Sequence, residues 1–218
     1  MRSLRVSDVT ALQEIDDAVR QDRAKEWWSR YGSWVVGVAV VVVVAVAGGV
    51  GWQRYTAAQR ATAGATFSAA LAQTADQAKA REALQQAAAG ATEPYRSLAA
   101  LAAAQYQATP ADQAKALQAA AQGGGSVELK DLAAILAAMR AADGSKPDEL
   151  IRDLEPLAAK DRPFRASALE LIAQASLAKG DLKRAREIWA ELVKDETVPQ
   201  GVAARAQAMS MLHPAEAK

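Results

Sequence analysis

Phe164 to Lys194 reads FRASALELIAQASLAKGDLKRAREIWAELVK, and its spacing decides how the rest of the chain is read. Ala168, Leu169, Leu171 and Ile172 recur at the intervals of one helix, Gly180-Asp181 interrupts, and Ala185 and Trp189 stand four residues apart on a second helix. A glycine relieves the tight turn, a small alanine lets paired helices approach, and a bulky tryptophan fills the space beside it. The stretch is predicted to be an antiparallel helical hairpin. Alone it would leave an apolar face in water, so it calls for neighbours of the same kind.

Similar units lie upstream. Tyr95, Leu129 and Phe164 mark equivalent starts separated by 34 and 35 residues, and Arg96, Lys130 and Arg165 follow them in phase. Two short helices repeating near 34 residues have the tetratricopeptide period. Helices are predicted over 54–75, 76–89, 95–107, 111–121, 127–142, 148–160, 164–179, 182–194 and 201–213, separated by Gly, Pro and Asp breakers. Gly123-Gly124-Gly125-Ser126 is expected as a flexible connector; it lacks the spacing of a phosphate-binding loop. The turns of the first two units are irregular, at Thr109-Pro110 and at Gly144, so a helical bundle with accidental spacing is the competing reading. Either way the class is all-α: no β-branched alternation occurs outside one apolar run, and the 51% hydrophobic content is mainly aliphatic, with only 5% aromatic.

That apolar run is Ser33 to Trp52, SWVVGVAVVVVVAVAGGVGW, which carries no charge. As a helix it would be roughly 30 Å long, the thickness of a bilayer's hydrocarbon core. Trp27, Trp28, Tyr31 and Trp34 flank one end, and Trp52 and Tyr55 the other, as interfacial anchors do. A signal peptide is the main competitor, but its apolar core is usually about 7–15 residues and its leader shorter. The expectation is a retained transmembrane helix over 31–53. Arg20, Arg23, Lys25 and Arg30 before it outnumber Arg54 and Arg60 after it, which places the N-terminus in the cytoplasm and the C-terminal domain in the periplasm of a bacterial cell. Ala45/Gly49 and Ala47/Gly51, with Gly48, are small-residue pairs that let another helix approach in lipid. In the preceding tail, Val9, Leu12, Ile15 and Val19 mark a short amphipathic helix with Ser7 or Asp8 as its cap. A purely topogenic tail is the alternative.

Several chemistries are excluded or unsupported. The absence of cysteine removes disulfides, thiolate catalysis and cysteine-ligated metals. The net charge of +1 gives no global reason to expect nucleic acid. His213 is the only histidine, expected to face solvent near the terminus, and it cannot form a paired zinc motif. Glu149, Asp153 and Glu155, or Glu187 and Glu191, lie among Arg152, Lys183, Arg184, Arg186 and Lys194, as on solvated helix faces. No catalytic, cofactor-binding or metal residue is therefore assigned, and no enzyme activity is expected. A stacked-hairpin domain holds polypeptides through distributed contacts, and a membrane tether would concentrate it near membrane partners.

The stretch Glu14-Ile15-Asp16-Asp17-Ala18-Val19-Arg20, then Arg23 and Trp28-Ser29-Arg30-Tyr31-Gly32, directly precedes the apolar run. Together with Pro163-Phe164-Arg165, Ala168-Leu169-Glu170, Gly180-Asp181, Ala185 and Trp189, it resembles the bacterial YfgM-like tetratricopeptide repeat-like family, in its alphaproteobacterial branch. The resemblance implies a single-pass inner-membrane protein with a periplasmic repeat domain, an ancillary subunit of the SecYEG translocon. It implies as partners SecYEG, a PpiD-like chaperone, exported polypeptides and the lipid bilayer. The runner-up is an accessory or assembly subunit of another inner-membrane complex, such as a respiratory one. The expected organisation is a tail over 1–30, the membrane helix over 31–53, stalk or capping helices over 54–94, repeats over 95–213 with Tyr95, Leu129, Phe164, Leu169, Gly180, Ala185 and Trp189 in their packing, and a tail over 214–218.

Overall fold

Alanine-rich segments punctuated by Pro and Gly fold into helices wherever the breakers leave room. The computed structural model describes residues 4–73 and 76–214, with side chains described from residue 25 onward. The helices are α1 (Leu4–Leu71), α2 (Gln77–Gly90), α3 (Tyr95–Gln105), α4 (Pro110–Gln122), α5 (Val127–Ala141), α6 (Pro147–Leu154), α7 (Arg165–Lys179), α8 (Leu182–Lys194) and α9 (Gln200–Leu212). No strand occurs among the described residues. The chain divides into two units, Met1–Ala58 and Gln59–Lys218.

The described part of the first unit, 4–58, lies within α1. This helix begins at Leu4, upstream of Ser7 and Asp8, so neither residue caps it as expected. The faces of Val9, Leu12, Ile15 and Val19 lie outside the described side chains. No Gly or Pro separates tail from apolar run until Gly32, and α1 passes the expected limits at 30/31 and 53/54 without a break. One apolar N-terminal helix results, long enough and apolar enough to cross a membrane, and none of that apolar window is buried.

From α2 to α9 the second unit is a stack of antiparallel helices, each packing on the next in sequence. Beyond these neighbour pairs, α3 meets α5, α5 meets α7, and α7 meets α9. No comparable pairing links α4, α6 and α8 among the described residues. The odd-numbered helices thus form a continuous inner row, the architecture of a hairpin solenoid. Three apolar clusters follow the stack. Phe67 and Ala70 of α1 join Leu84, Ala87, Ala99 and Ala103. Leu101, Ala104, Leu117, Ala133 and Ala137 form the next. The largest runs from Ile135 through Leu154, Ile172 and Trp189 to Val202 and Ala206. Residues 59–94, part of the expected stalk or capping segment, belong to this second unit.

Local chemistry sets the ends. The Asp76 carboxylate accepts from the backbone N–H groups of Ala78 and Lys79 at 3.0 and 3.2 Å, capping α2. Thr109 caps α4 ahead of Pro110, which has no N–H to leave unpaired at a helix start. The helix expected over 148–160 instead ends at Leu154 and tightens into a 3-10 turn, Glu155–Ala158. Pro156 is the reason: it lacks an N–H, and its ring crowds the carbonyl four residues back. At the other extreme, α8 runs from Leu182 to Lys194, the limits read from sequence. Its hairpin turn uses Gly180 at φ +90°, with Gly180 N–H donating to the Leu177 carbonyl at 2.9 Å and Asp181 N–H to Ser176 at 2.8 Å. This paired closure of a helix C-terminus places glycine where a Cβ is disfavoured.

Candidate interaction surfaces

Along the apolar run, Val38, Val41, Val43 and Val44 are all more than half exposed, as are Trp34 and Trp52. Ala45, Ala47, Gly48, Gly49 and Gly51 are exposed as well, and a Cβ added at Gly48, Gly49 or Gly51 would meet nothing within 4 Å. The small-residue pairs therefore lie on an open helical surface. The aromatic flanks are ordered by contacts along the helix. Trp27 and Tyr31 approach with ring centroids 5.8 Å apart, Trp52 and Tyr55 at 6.3 Å. Trp28 folds over Gly32: a Cβ there would lie 3.2 Å from the indole. Gly32 is thereby buried while Trp28 stays exposed on its other side.

The repeat-packing residues are placed in the second unit. Tyr95 sits against α1, its hydroxyl 2.9 Å from where a Gly64 Cβ would lie and its ring 6.2 Å from Phe67. It joins the first repeat helix, α3, to the end of α1. Leu129 and Phe164 are half-buried at the edges of the second and third clusters. Leu169, Ala185 and Trp189 are buried together, Trp189 at 1% exposure and Ala185 at 0%.

A more regular signature was not singled out in the sequence. Ala99, Ala133 and Ala168 each stand four residues after the repeat starts, and each is fully buried. Five residues further along the helices, Ala104, Ala138 and Ala173 are buried in the same way. These positions let successive helices approach closely, which alanine permits and a longer side chain would prevent. Polar contacts repeat with the same period. Arg140 donates to the Gln105 side chain at 3.1 Å, and Arg205 grips the Glu170 carboxylate at 2.6 and 2.7 Å. Each pair joins residues 35 apart, between successive odd-numbered helices. The Glu170 carboxylate raises the pKa of Arg205, first by hydrogen bonding and then by charge.

A second polar series ties each repeat to the loop that opens the next. The Ser97 hydroxyl meets the Gly124 carbonyl at 3.1 Å and the Glu93 carboxylate at 2.7 Å. At the equivalent position, Asp131 is 1% exposed and pairs with Arg162. Arg165 reaches Asp195 at 3.0 Å and also pairs with Glu191. The glycine loop is accordingly not the free connector expected from its composition. Gly125 has φ +109°, and a Cβ there would collide with the Ser97 hydroxyl, so the loop is seated on α3. Asp195 is held below its ordinary value by the Thr197 hydroxyl first, then by the Thr197 N–H and Arg165. Glu128 is likewise lowered by the Ser126 hydroxyl that caps α5.

Between the loops entering α7 and α9 opens a groove of about 740 Å³, lined by Lys160, Pro163, Phe164, Arg165, Thr197 and Val198 among others. It combines an aromatic ring and prolines with cations and the Asp195 carboxylate, and Arg162 and Arg165 are already paired with carboxylates. Among the described residues no group of three His, Asp or Glu side chains is arranged to hold a metal ion. His213 is half-buried, in contrast to the solvent-facing position expected of a near-terminal histidine. Its ring stacks on Trp189 at 5.7 Å, and Arg186 donates to its carbonyl at 2.9 Å. An aromatic platform and a cation that binds main-chain carbonyls hold His213 and Pro214 against α8.

No curated protein and no solved structure matches the chain. The tetratricopeptide repeat-like domain matches residues 25–206, most of the chain, including the apolar run as well as the hairpins. With the 34–35-residue spacing now expressed as buried alanines and cross-repeat polar pairs, the chain belongs to the tetratricopeptide repeat-like domain family.

Proposed function

We propose that this protein is a membrane-anchored, single-pass scaffold that holds other polypeptides at a bilayer surface. The observation that carries this reading is the contrast within one chain: valines 35–46 are exposed, while even alanines are buried in the repeats. A helix apolar on all sides belongs in an apolar environment. The hairpin stack supplies a protein-binding framework, consistent with the scaffolding role of such repeats. We propose a binding role in preference to catalysis. The basic residues Arg20, Arg23, Lys25 and Arg30 favour a cytoplasmic N-terminus, with the repeats in the periplasm.

The finer assignment draws on the resemblance of residues 14–32 and 163–189: an ancillary subunit of the SecYEG translocon that hands exported proteins to a PpiD-like chaperone. Photocrosslinkers placed within 33–52 and 95–194 in native inner membranes test it. Adducts with SecY and a PpiD-like protein are the expected result. A reproducible respiratory-complex subunit in their place would establish the alternative accessory role. Because the chain has no cysteine, single-cysteine variants Ser29→Cys and Asp143→Cys report orientation with an impermeant maleimide. Labelling of Asp143→Cys alone in spheroplasts is expected.

A further inference from the structure

We propose that the first half of the apolar run is a seat for one anionic glycerophospholipid, whose acyl chain lies along Gly37 and whose phosphate meets Arg30. The proposal rests on the membrane reading above and names a ligand for that helix within the bilayer. Ser33, Trp34, Gly37, Val38, Val41 and Val42 line a groove of about 460 Å³ on α1. Gly37 is the only glycine between Ser33 and Ala47, and a Cβ added there would meet nothing within 4 Å. The wall of valines is thus interrupted at one point of the helix surface. Trp34, at 75% exposure, and Val41, at 67%, stand before and after the gap on the same face.

The length of the groove fits one leaflet. From Ser33 to Val42 the helix rises roughly 14 Å, against about 15 Å for half of a bilayer's hydrocarbon core. Its mouth lies at the end of the run where Trp27, Trp28 and Tyr31 gather, at the depth where lipid headgroups begin.

A cation completes the seat. Arg30 precedes Gly37 by two helical turns and Val41 by three, within about 20° of both around the helix axis. Side chains lean toward the N-terminus of a helix, so its guanidinium extends from the mouth toward the headgroup layer. Arg30 is exposed, and no carboxylate among the described residues forms an ion pair with it. Its planar fork matches two oxygens of a phosphodiester. An apolar groove one leaflet long with a cation at its mouth is complementary to an amphiphile with an acyl chain and an anionic head. A second copy of this chain, running parallel, would set Arg30 against Arg30, and charge opposes that pairing.

The test uses the full-length protein in phosphatidylcholine liposomes doped with phosphatidylglycerol that carries a diazirine in its acyl chain. The same diazirine chain on phosphatidylcholine is the reference probe. Adducts located by mass spectrometry are expected on Trp34, Gly37, Val38 and Val41, several-fold above those on Val36, Ala39 and Val43 across the helix. The phosphatidylglycerol probe should exceed the reference several-fold on the groove. Arg30→Gln should abolish that headgroup preference, whereas Lys25→Gln, about 140° away around the helix, should leave it intact. Gly37→Leu should abolish the preference for one face. Even labelling around the helix, equal labelling by the two probes, or equal effects of the two charge-removing variants overturns the proposal. So does a groove cross-linked in native membranes only to another protein. Carbonate extraction of the same samples reports anchoring separately: a chain retained in the membrane but labelled evenly refutes the lipid seat alone, and a released chain refutes the membrane reading with it.

Discussion

The apolar run of α1 and the α7–α8 hairpin are both rich in aliphatic residues, yet they use them in opposite ways. In the run, side chains as large as valine and tryptophan project outward, Val41 at 67% exposure and Trp34 at 75%. In the hairpin, Ile172, Ala173, Ala185, Trp189 and Leu192 are nearly or wholly covered, and charged residues occupy the outer face of α8. One element takes its apolar environment from outside the chain, the other constructs it from its neighbours. Hydropathy alone does not separate these uses; the arrangement of charges along each helix does.

The largest effect that would sharpen this contrast comes from the run. Val41→Arg combined with Val44→Arg places two charges at its centre, each costing about 2.5–3.5 kcal/mol on an insertion scale. The doubly substituted chain is expected to leave the carbonate-resistant membrane fraction. Retention there would break the comparison.

Next is Trp189→Ala, which removes a side chain 1% exposed and the platform under His213. A loss of about 3–5 kcal/mol is expected in denaturant unfolding, with membrane retention unchanged. If membrane retention fell equally, the two regions would not be energetically distinct.

Asp131→Ala leaves the Arg162 guanidinium without its carboxylate, although Arg162 remains partly open to water. The expected cost is about 1–3 kcal/mol, smaller than a deeply buried ion pair would lose. Urea titration of the single variant and of the double Asp131→Ala/Arg162→Ala variant measures the coupling.

The smallest effect concerns acid. Because the folded pKa of Asp195 is depressed, its contribution is present above the ordinary value near 3.8 and is lost as pH falls through the lower folded value. Asp195→Asn should lower the thermal midpoint at neutral pH. The gap to the parent should narrow as pH falls below 4. A gap constant with pH would remove Asp195 as a source of acid sensitivity.

Much of the secondary structure was legible because breakers act locally. Asp76, Thr109-Pro110 and Gly180-Asp181 mark their helix ends through hydrogen bonds within a few residues. Pro156 was also in plain view, and its effect on α6 followed from the missing N–H, but the apolar pattern around it masked the break. The candidate surface was less legible. Ala168 stood out within its hairpin, but Ala99 and Ala133 were hidden among many other alanines, since a residue common on every face carries no directional signal. Ser97, Asp131 and Arg165 resembled ordinary helix-start polar residues until their partners 26 to 31 residues away came into contact.

The sequence by itself determined the length and neutrality of the run from Ser33 to Trp52, the all-helical class and the period near 34. These depend on residue type and spacing along one segment, where backbone propensity and side-chain periodicity act. Only the tertiary structure decided which alanines are buried, that the glycine loop is seated on Ser97, and that His213 folds onto Trp189. Those outcomes depend on which segments pack across a full repeat, and alanine, accepted equally in a core and on a surface, leaves that choice to the packing.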